Sequence, residues 1–446
     1  MKPSPAQKSK NVHSWTDRNL AVNWHPYTQM KIYEDYPPVK IEKAEGPYLY
    51  DEDGKHYYDT ISSWWACVHG HAHPQIVSAI TKQASSIDHV IFGGFTHEPA
   101  VLLSEKLVEI TPDGLSRVFY ADNGSCAVEV ALKMSVQYWR NTGKSQKTGF
   151  ICLEDSYHGD TIGTMGVGGV GLFKDVFDPL LVNAQQVRVP EDTSEAIELA
   201  LSELKSVLEA SSEVTAAMIV EPLMQGACGI RFYPAAYLSR ARALCEAYDV
   251  LFIVDEIATG FGKLGALFAC DIAKISPDFM CLSKAINNGV MPFAATLTTD
   301  AIYQAFYGDR DKTFYHGHTY TANPIGCATA LASLSIFESE NVMSELQSSK
   351  VPYFQAQWAR LTDCPYVSDL RSWGMVGAFT LVSDSSASDD ALLTAPYRMY
   401  LEGLKHHLVL RPLGNTVYVV LPFCLSLSQI DEILQSLKTV IGQVRL

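Results

Sequence analysis

The chain has no basic surplus to offer a polyanion. Lys and Arg total 34 against 49 Asp and Glu, a formal net charge of −15 over 446 residues. Such a field repels phosphate backbones and anionic lipid, which argues against nucleic acid or a membrane surface as a partner. No apolar run approaches the ~18 residues of a membrane span. Residues 1–10 lack the apolar core of a secretory signal and read as a disordered polar tail. The ten cysteines include no CxxC pair and no Cys/His cluster at zinc spacing, so neither a disulfide framework nor a metal is expected. Reduced thiols in a cytosolic protein are the expectation, with Cys152 and Cys281 packing as small hydrophobes inside apolar stretches. Internal repeats are also missing.

What is present is the balance of a globular enzyme, with 47% apolar and 19% charged residues. The length exceeds one ordinary core, so a large and a smaller domain are expected. Short apolar runs at 117–120, 150–153, 216–220, 251–254 and 279–282 alternate with helical patterns, which signals α/β layers around a mainly parallel sheet. Between the first two runs, Ala127, Val130, Ala131, Met134 and Tyr138 recur at 3.6-residue spacing and mark one face of a helix. After about residue 330 the texture changes. A helix over 328–338 leads through a serine-rich stretch (383–388) to short strands near 408–411 and 417–421. The expected division is an N-terminal arm over 1–75, a large domain over 76–330 and a C-terminal α+β domain over 331–446.

Open α/β sheets bind ligands at the carboxyl ends of their strands. Two apolar strands deliver Asp255 and Lys284 to such ends. Burial there disfavours the ammonium form, lowers the lysine pKa and frees a neutral amine for Schiff-base chemistry. Pyridoxal phosphate needs such a lysine for its aldehyde and an acid to keep its ring nitrogen protonated. A lone lysine is more often on the surface, and a lone aspartate is more often a cap; the pair carries the argument. Asp122-Asn-Gly124-Ser125, between a strand and the helix, could cradle the phosphate with free N–H groups, a hydroxyl and the helix dipole. Ordinary N-capping is the competing reading.

Three other patterns are weaker. Gly166-Val-Gly168-Gly169-Val-Gly171 matches GxGxxG, but no apolar strand precedes it, so it is read as a flexible glycine loop rather than a dinucleotide site. His69-Gly-His71-Ala-His73 lacks a neighbouring Asp/Glu/Cys ligand cluster, and Trp64-Trp65 could be core. Arg411, before Pro412, could be a surface residue or a two-pronged clamp for a carboxylate.

Several longer segments carry a resemblance. They are Trp24-His-Pro-Tyr27-Thr-Gln-Met30, Ser62-Ser-Trp64-Trp65-Ala, Gly124-Ser125-Cys-Ala-Val-Glu129, Ser156-Tyr157-His158-Gly159-Asp160-Thr161, Glu221-Pro-Leu-Met-Gln225-Gly226, Asp255-Glu-Ile-Ala-Thr-Gly-Phe-Gly262 and Ser283-Lys284-Ala. Together they resemble the class III aminotransferases of pyridoxal-phosphate fold type I. The first two narrow the likeness to the biotin-pathway branch, in which S-adenosylmethionine aminates 8-amino-7-oxononanoate. The resemblance implies a Schiff base at Lys284, Asp255 on the ring nitrogen, and the phosphate on Gly124 and Ser125. It implies a homodimer with shared sites, in which Thr319, next to His318, reaches the phosphate bound by the other subunit. Tyr157 would stack on the cofactor and touch substrate. Tyr27, ranked with the catalytic residues, would line the substrate pocket with Trp64, Gly317 and Arg411, and Arg411 would face the acceptor's carboxylate. Glu221 and Gln225 would lie at the phenolic edge. His318, Lys263 and Cys228 stand where the branch usually has proline, arginine and glycine. The first leaves lysine open as an alternative donor, or another class III ω-aminotransferase as an alternative enzyme.

Overall fold

The computed structural model describes residues 14–382 and 394–444. The predicted tail over 1–10 and the serine-rich stretch lie outside the described residues. Three antiparallel strands open the fold: β1 (Ile41–Glu45), β2 (Tyr48–Asp51) and β3 (His56–Tyr58). A seven-stranded sheet follows, built from β4 (Leu115–Ala121), β5 (Gly149–Leu153), β6 (Gln185–Val187), β7 (Thr215–Val220), β10 (Leu251–Asp255), β11 (Phe279–Leu282) and β12 (Ala294–Thr299). Between β7 and β10 lies a small hairpin, β8 (Met224–Gln225) with β9 (Arg231–Phe232). The large sheet runs β4-β12-β11-β10-β7-β5-β6, and β12 alone opposes its neighbours.

Every residue of β7 and β10 is buried. That explains why their sequences are continuous apolar runs: a parallel sheet covered on both faces has no solvent side to paint with polar residues. Along these strands the side chains alternate between two cores. Met218, Val220, Phe252 and Val254 enter one, while Ala217, Ile219 and Ile253 enter the other. The helix Gly124–Asn141 covers the second face, burying Ala127, Val130 and Ala131 as its periodicity predicts, with Met134 and Tyr138 partly buried beside them.

A third sheet, β13 (Val367–Trp373), β14 (Val376–Leu381) and β15 (Thr416–Val420), is antiparallel. The strand expected near 408–411 is reduced to one bridge between Leu408 and Tyr58. Pro412 has no N–H with which to extend a ladder. The bridge belongs to a longer seam between the first and last parts of the chain. Val420 N–H donates to Thr60 O at 2.8 Å, Ser62 Oγ to Val420 O at 2.7 Å, and Phe423 N–H to Val68 O at 2.6 Å.

The Gly166–Gly171 segment is packed rather than loose. A Cβ at Gly166 would lie 2.5 Å from Val182 O, and one at Gly169 would lie 2.4 Å from Asp155 N. These glycines let backbone approach backbone, a use that sequence spacing does not distinguish from a flexible loop.

Gly377 on β14 lies against the buried indole of Trp358, where an added Cβ would fall 2.6 Å from the ring. Gly377→Ala is expected to cost about 1–3 kcal/mol by overpacking. Denaturant melts should show that loss, with the specific activity of the folded fraction kept. An unchanged midpoint would mean that the ring moves freely.

Candidate active site

β10 and β11 run parallel with Asp255 opposite Cys281, so Asp255 and Lys284 leave the sheet at the same edge. Lys284 has φ +49, a left-handed backbone that side chains rarely adopt. Flanking bonds hold it there. Ser283 Oγ donates to Phe293 O at 2.8 Å. Asn288 donates to Gly70 O at 2.8 Å and accepts from His69 N–H at 2.9 Å. The ammonium nitrogen lies 5.2 Å from the centre of the Trp65 ring. Burial presses the lysine below its ordinary pKa, while Asp255 and Glu221 pull it back up.

Asp255 is buried and doubly anchored. One carboxylate oxygen lies 2.8 Å from His158 Nδ1, and the other accepts the Ile257 N–H at 3.1 Å. His158 is itself buried, and its Nε2 has no hydrogen-bond partner among the described residues. Glu221, at the end of β7, accepts from Gly226 N–H at 3.2 Å and Tyr157 N–H at 3.4 Å. Burial, and then the charge of Asp255, push its carboxyl up to about 8.

Next to this charged floor is the first turn of the helix Gly124–Asn141. Asn123 caps it by accepting Cys126 N–H at 2.9 Å. The N–H groups of Gly124 and Ser125 precede the capped position. Two glycines shape the cradle: a Cβ at Gly124 would lie 2.9 Å from Ile257, and one at Gly159 would lie 1.9 Å from Ser125 Oγ. Capping by Asn123 therefore leaves the N–H groups of Gly124 and Ser125 outside the capped position. The Ser125 hydroxyl also accepts Asp160 N–H at 3.2 Å, which ties the cradle to the loop after β5.

The mouth gathers residues from four distant segments. Tyr27 hydroxyl lies 3.0 Å from Tyr157 hydroxyl, and both donate to Asp160. Burial and the Asp160 carboxylate raise Tyr27 to about 12 and hold Tyr157 well above the ordinary phenol, so both remain proton donors. Trp64 meets the Tyr27 ring edge-on at 5.7 Å, and Phe173 meets both tyrosines at the same distance. Arg411 lies 4.8 Å over the Trp64 ring. Trp65 turns the other way and is buried beneath Lys284, although it adjoins Trp64 in sequence. Residues Ser62 to Trp65 all have positive φ, and this rare winding separates the two indoles.

Gly317 and Thr319 lie on an exposed turn, and His318 Nε2 between them is 4.0 Å from Asp122, just ahead of the cradle. Three contributors are absent from the sequence-derived site: His158, Asp160 and Phe173. The first two share the segment after β5 with Tyr157, so a strand-end signal was available for them. Phe173 lies beyond the glycine segment and carried no signal.

No helix among the described residues is long and apolar enough to cross a membrane, and none of their acidic, thiol or imidazole groups cluster to hold a metal. Comparison with known proteins agrees with the geometry. The chain is 41% identical to the adenosylmethionine-8-amino-7-oxononanoate aminotransferase of Geobacter sulfurreducens over 99% of both chains. It is 40% identical to that of Anoxybacillus flavithermus over 96% of this chain and 97% of the relative. The solved structure of the Methanocaldococcus jannaschii adenosylmethionine-8-amino-7-oxononanoate aminotransferase superposes with a TM-score of 0.91 at 38% identity, covering 96% and 98% of the two chains. An omega transaminase from Pseudomonas jessenii in complex with PMP gives 0.89 at 27% identity, covering 97% and 98%. The family model for aminotransferase class-III matches residues 30–441, and with that span the chain belongs to the class-III aminotransferases.

Proposed function

We propose that this enzyme transfers an amino group from S-adenosylmethionine to 8-amino-7-oxononanoate, yielding 7,8-diaminononanoate for biotin synthesis. The observation that carries the reading is the buried Lys284 amine facing Asp255 and Glu221, beneath an aromatic mouth with one arginine. The near-full-length relatives named for this reaction support it.

The residues fit pyridoxal phosphate as the resident cofactor. Lys284 would hold its aldehyde carbon, Asp255 its ring nitrogen, and Gly124 with Ser125 its phosphate. When bound, the cofactor supplies a carbonyl that carries the amino group and a ring that stores an electron pair. The chain supplies the rest. Lys284 Nζ moves the proton at the donor's α-carbon, a task that needs the neutral amine favoured by burial. His158 and the Ile257 N–H fix the orientation of Asp255, whose carboxyl group would face the ring nitrogen. Tyr27, Tyr157 and Trp64 would form an aromatic wall at the entrance.

A second copy of the chain would complete the site. Leu172, Val176 and Val182 are each more than 80% exposed on one stretch, and Phe95 and Tyr315 are also exposed. Apolar side chains this bare support pairing into a homodimer, with Thr319 directed to the neighbour's phosphate. All ten cysteines are free thiols, which supports a reducing cytosolic location.

Lys284→Ala is expected to abolish turnover while cofactor still binds non-covalently. Borohydride treatment of the wild type, followed by peptide mapping, should place the cofactor's mass on Lys284. Finding it on Lys263 or Lys274 would overturn the assignment.

Arg411→Ala should raise the KM for the oxononanoate by roughly ten- to a hundredfold, the scale of a lost charge-assisted hydrogen bond, and spare the donor half-reaction. Equal damage to both half-reactions would make Arg411 a support for the fold.

The mouth also bears on the donor. A sulfonium is drawn to aromatic faces and to a carboxylate, and Asp160 with its two tyrosine donors, flanked by the Trp64 and Phe173 rings, offers both. Asp160→Asn should slow the single-turnover reaction with S-adenosylmethionine by about tenfold and leave acceptor binding close to wild type. Lysine is the donor to compare. Fast conversion with lysine and none with S-adenosylmethionine would reject the sulfonium donor and leave the acceptor standing.

A further inference from the structure

The Glu221 carboxylate depends on the N–H of Gly226, and Gly226 begins the turn of the β8–β9 hairpin. That turn is conformationally costly. Gly229 has φ +97 and the branched, fully buried Ile230 has φ +56, and the Ile230 N–H closes the turn onto Gly226 O at 3.1 Å. Such backbone persists only where its surroundings over-determine it.

The determining group comes from the other end of the chain. Arg371, on β13, donates Nε–H to Ile230 O at 2.8 Å and Nη2–H to Gly229 O. Its remaining nitrogen donates to Asp369 O at 2.6 Å and to the Asp369 carboxylate at 2.7 Å. The guanidinium is mostly buried, at 17% side-chain exposure. Two adjacent carbonyls are thus gripped by one planar fork, a geometry that a lysine cannot reproduce. Gly229 is also pressed against this sheet: a Cβ there would lie 2.8 Å from Thr416 Oγ1. On the hairpin's other side, a Cβ at Gly226 would lie 2.6 Å from the Trp65 ring. The turn is therefore clamped between Arg371 and the tryptophan under Lys284.

We propose that Arg371 is a positioning residue for the active site: by gripping Gly229 and Ile230 it holds the Gly226 N–H on the Glu221 carboxylate beside Lys284. The meaning for catalysis rests on the reading of Lys284 given above; the bonds themselves do not. Glu221 faces Asp255 and Lys284 from the neighbouring strand ends, Tyr157 from the loop after β5, and Cys228 from its own hairpin. Arg371 faces Asp369 and Cys228. Among these groups the Gly226 N–H is a fixed donor that favours the charged carboxylate. Its displacement raises the Glu221 pKa further, so the neutral acid persists to higher pH.

The test is an infrared titration of the full-length protein, following the carboxylic C=O stretch that disappears in Glu221→Gln. The wild-type midpoint is expected near 8. Arg371→Met should move it up by about one pH unit, the scale of one lost hydrogen bond to a charged group, and Arg371→Lys by less. Gly229→Ala removes no charge yet strains the same turn, so it should move the midpoint in the same direction and covers the case in which Arg371→Met fails to fold. An unmoved midpoint in the folded variants, whatever their melting temperatures, would make Arg371 a structural bridge only and overturn the proposal. Because the band belongs to the protein, the result stands apart from cofactor loading. A wild type that takes up no pyridoxal phosphate would count against the proposed function instead.

Discussion

The structure depends on one unfavourable placement, an amine taken out of water at the end of β11. In solvent a lysine is protonated and inert as a nucleophile or base. Burial favours the neutral form and lowers the Lys284 pKa, while Asp255 and Glu221 oppose that shift. A balance of this kind is only as good as the distances that set it. That accounts for the amount of bonding spent on holding Asp255, Glu221 and the Lys284 backbone still. Each carboxylate has two fixed partners, and the left-handed lysine is flanked by Ser283 and Asn288 bonds.

The segment that lies beneath Lys284 also joins the beginning of the chain to its end. The bonds from Thr60, Ser62 and Val68 to the segment around Val420 hold the wound stretch that sends Trp64 to the mouth and Trp65 beneath the lysine. Tyr418 on β15 packs against Trp65 edge-on at 5.9 Å. Arg411, over Trp64, comes from the same part of the chain. The aromatic cluster around Trp64 and the surroundings of Lys284 therefore share one scaffold, and Arg371 ties that scaffold to the β8–β9 hairpin.

The cradle and the mouth are linked in a comparable way. Ser125 accepts the Asp160 N–H, and Glu129, one turn along the same helix, accepts Gly163 N–H at 2.9 Å and the Thr161 hydroxyl at 2.5 Å. The helix N-terminus thus lies beside the loop that carries Tyr157 and Asp160. Gly159 is required there because any side chain would occupy the space of the serine hydroxyl.

The sheet was legible because buried parallel strands must be apolar throughout, so 216–220, 251–254 and 279–282 stood out and the residues that end them followed. Asp255 and Lys284 could be paired from sequence for the same reason: a parallel sheet puts consecutive strand ends on one edge. Tyr27, Trp64 and Tyr157 could be grouped with Arg411 only through resemblance, since 384 positions separate Tyr27 from Arg411 and no local periodicity relates them. Other features were decided by packing alone. The strand expected at 408–411 shrank to a single bridge, the glycine segment became a tight contact, and adjacent tryptophans parted. His158, Phe173 and Arg371 acquired their places through contacts between distant segments. Local propensity and strand order are written in short stretches of residues and survive in the sequence. Side-chain direction, backbone strain and the proton balance at Lys284 depend on which distant groups share a desolvated space, and only the folded chain determines that.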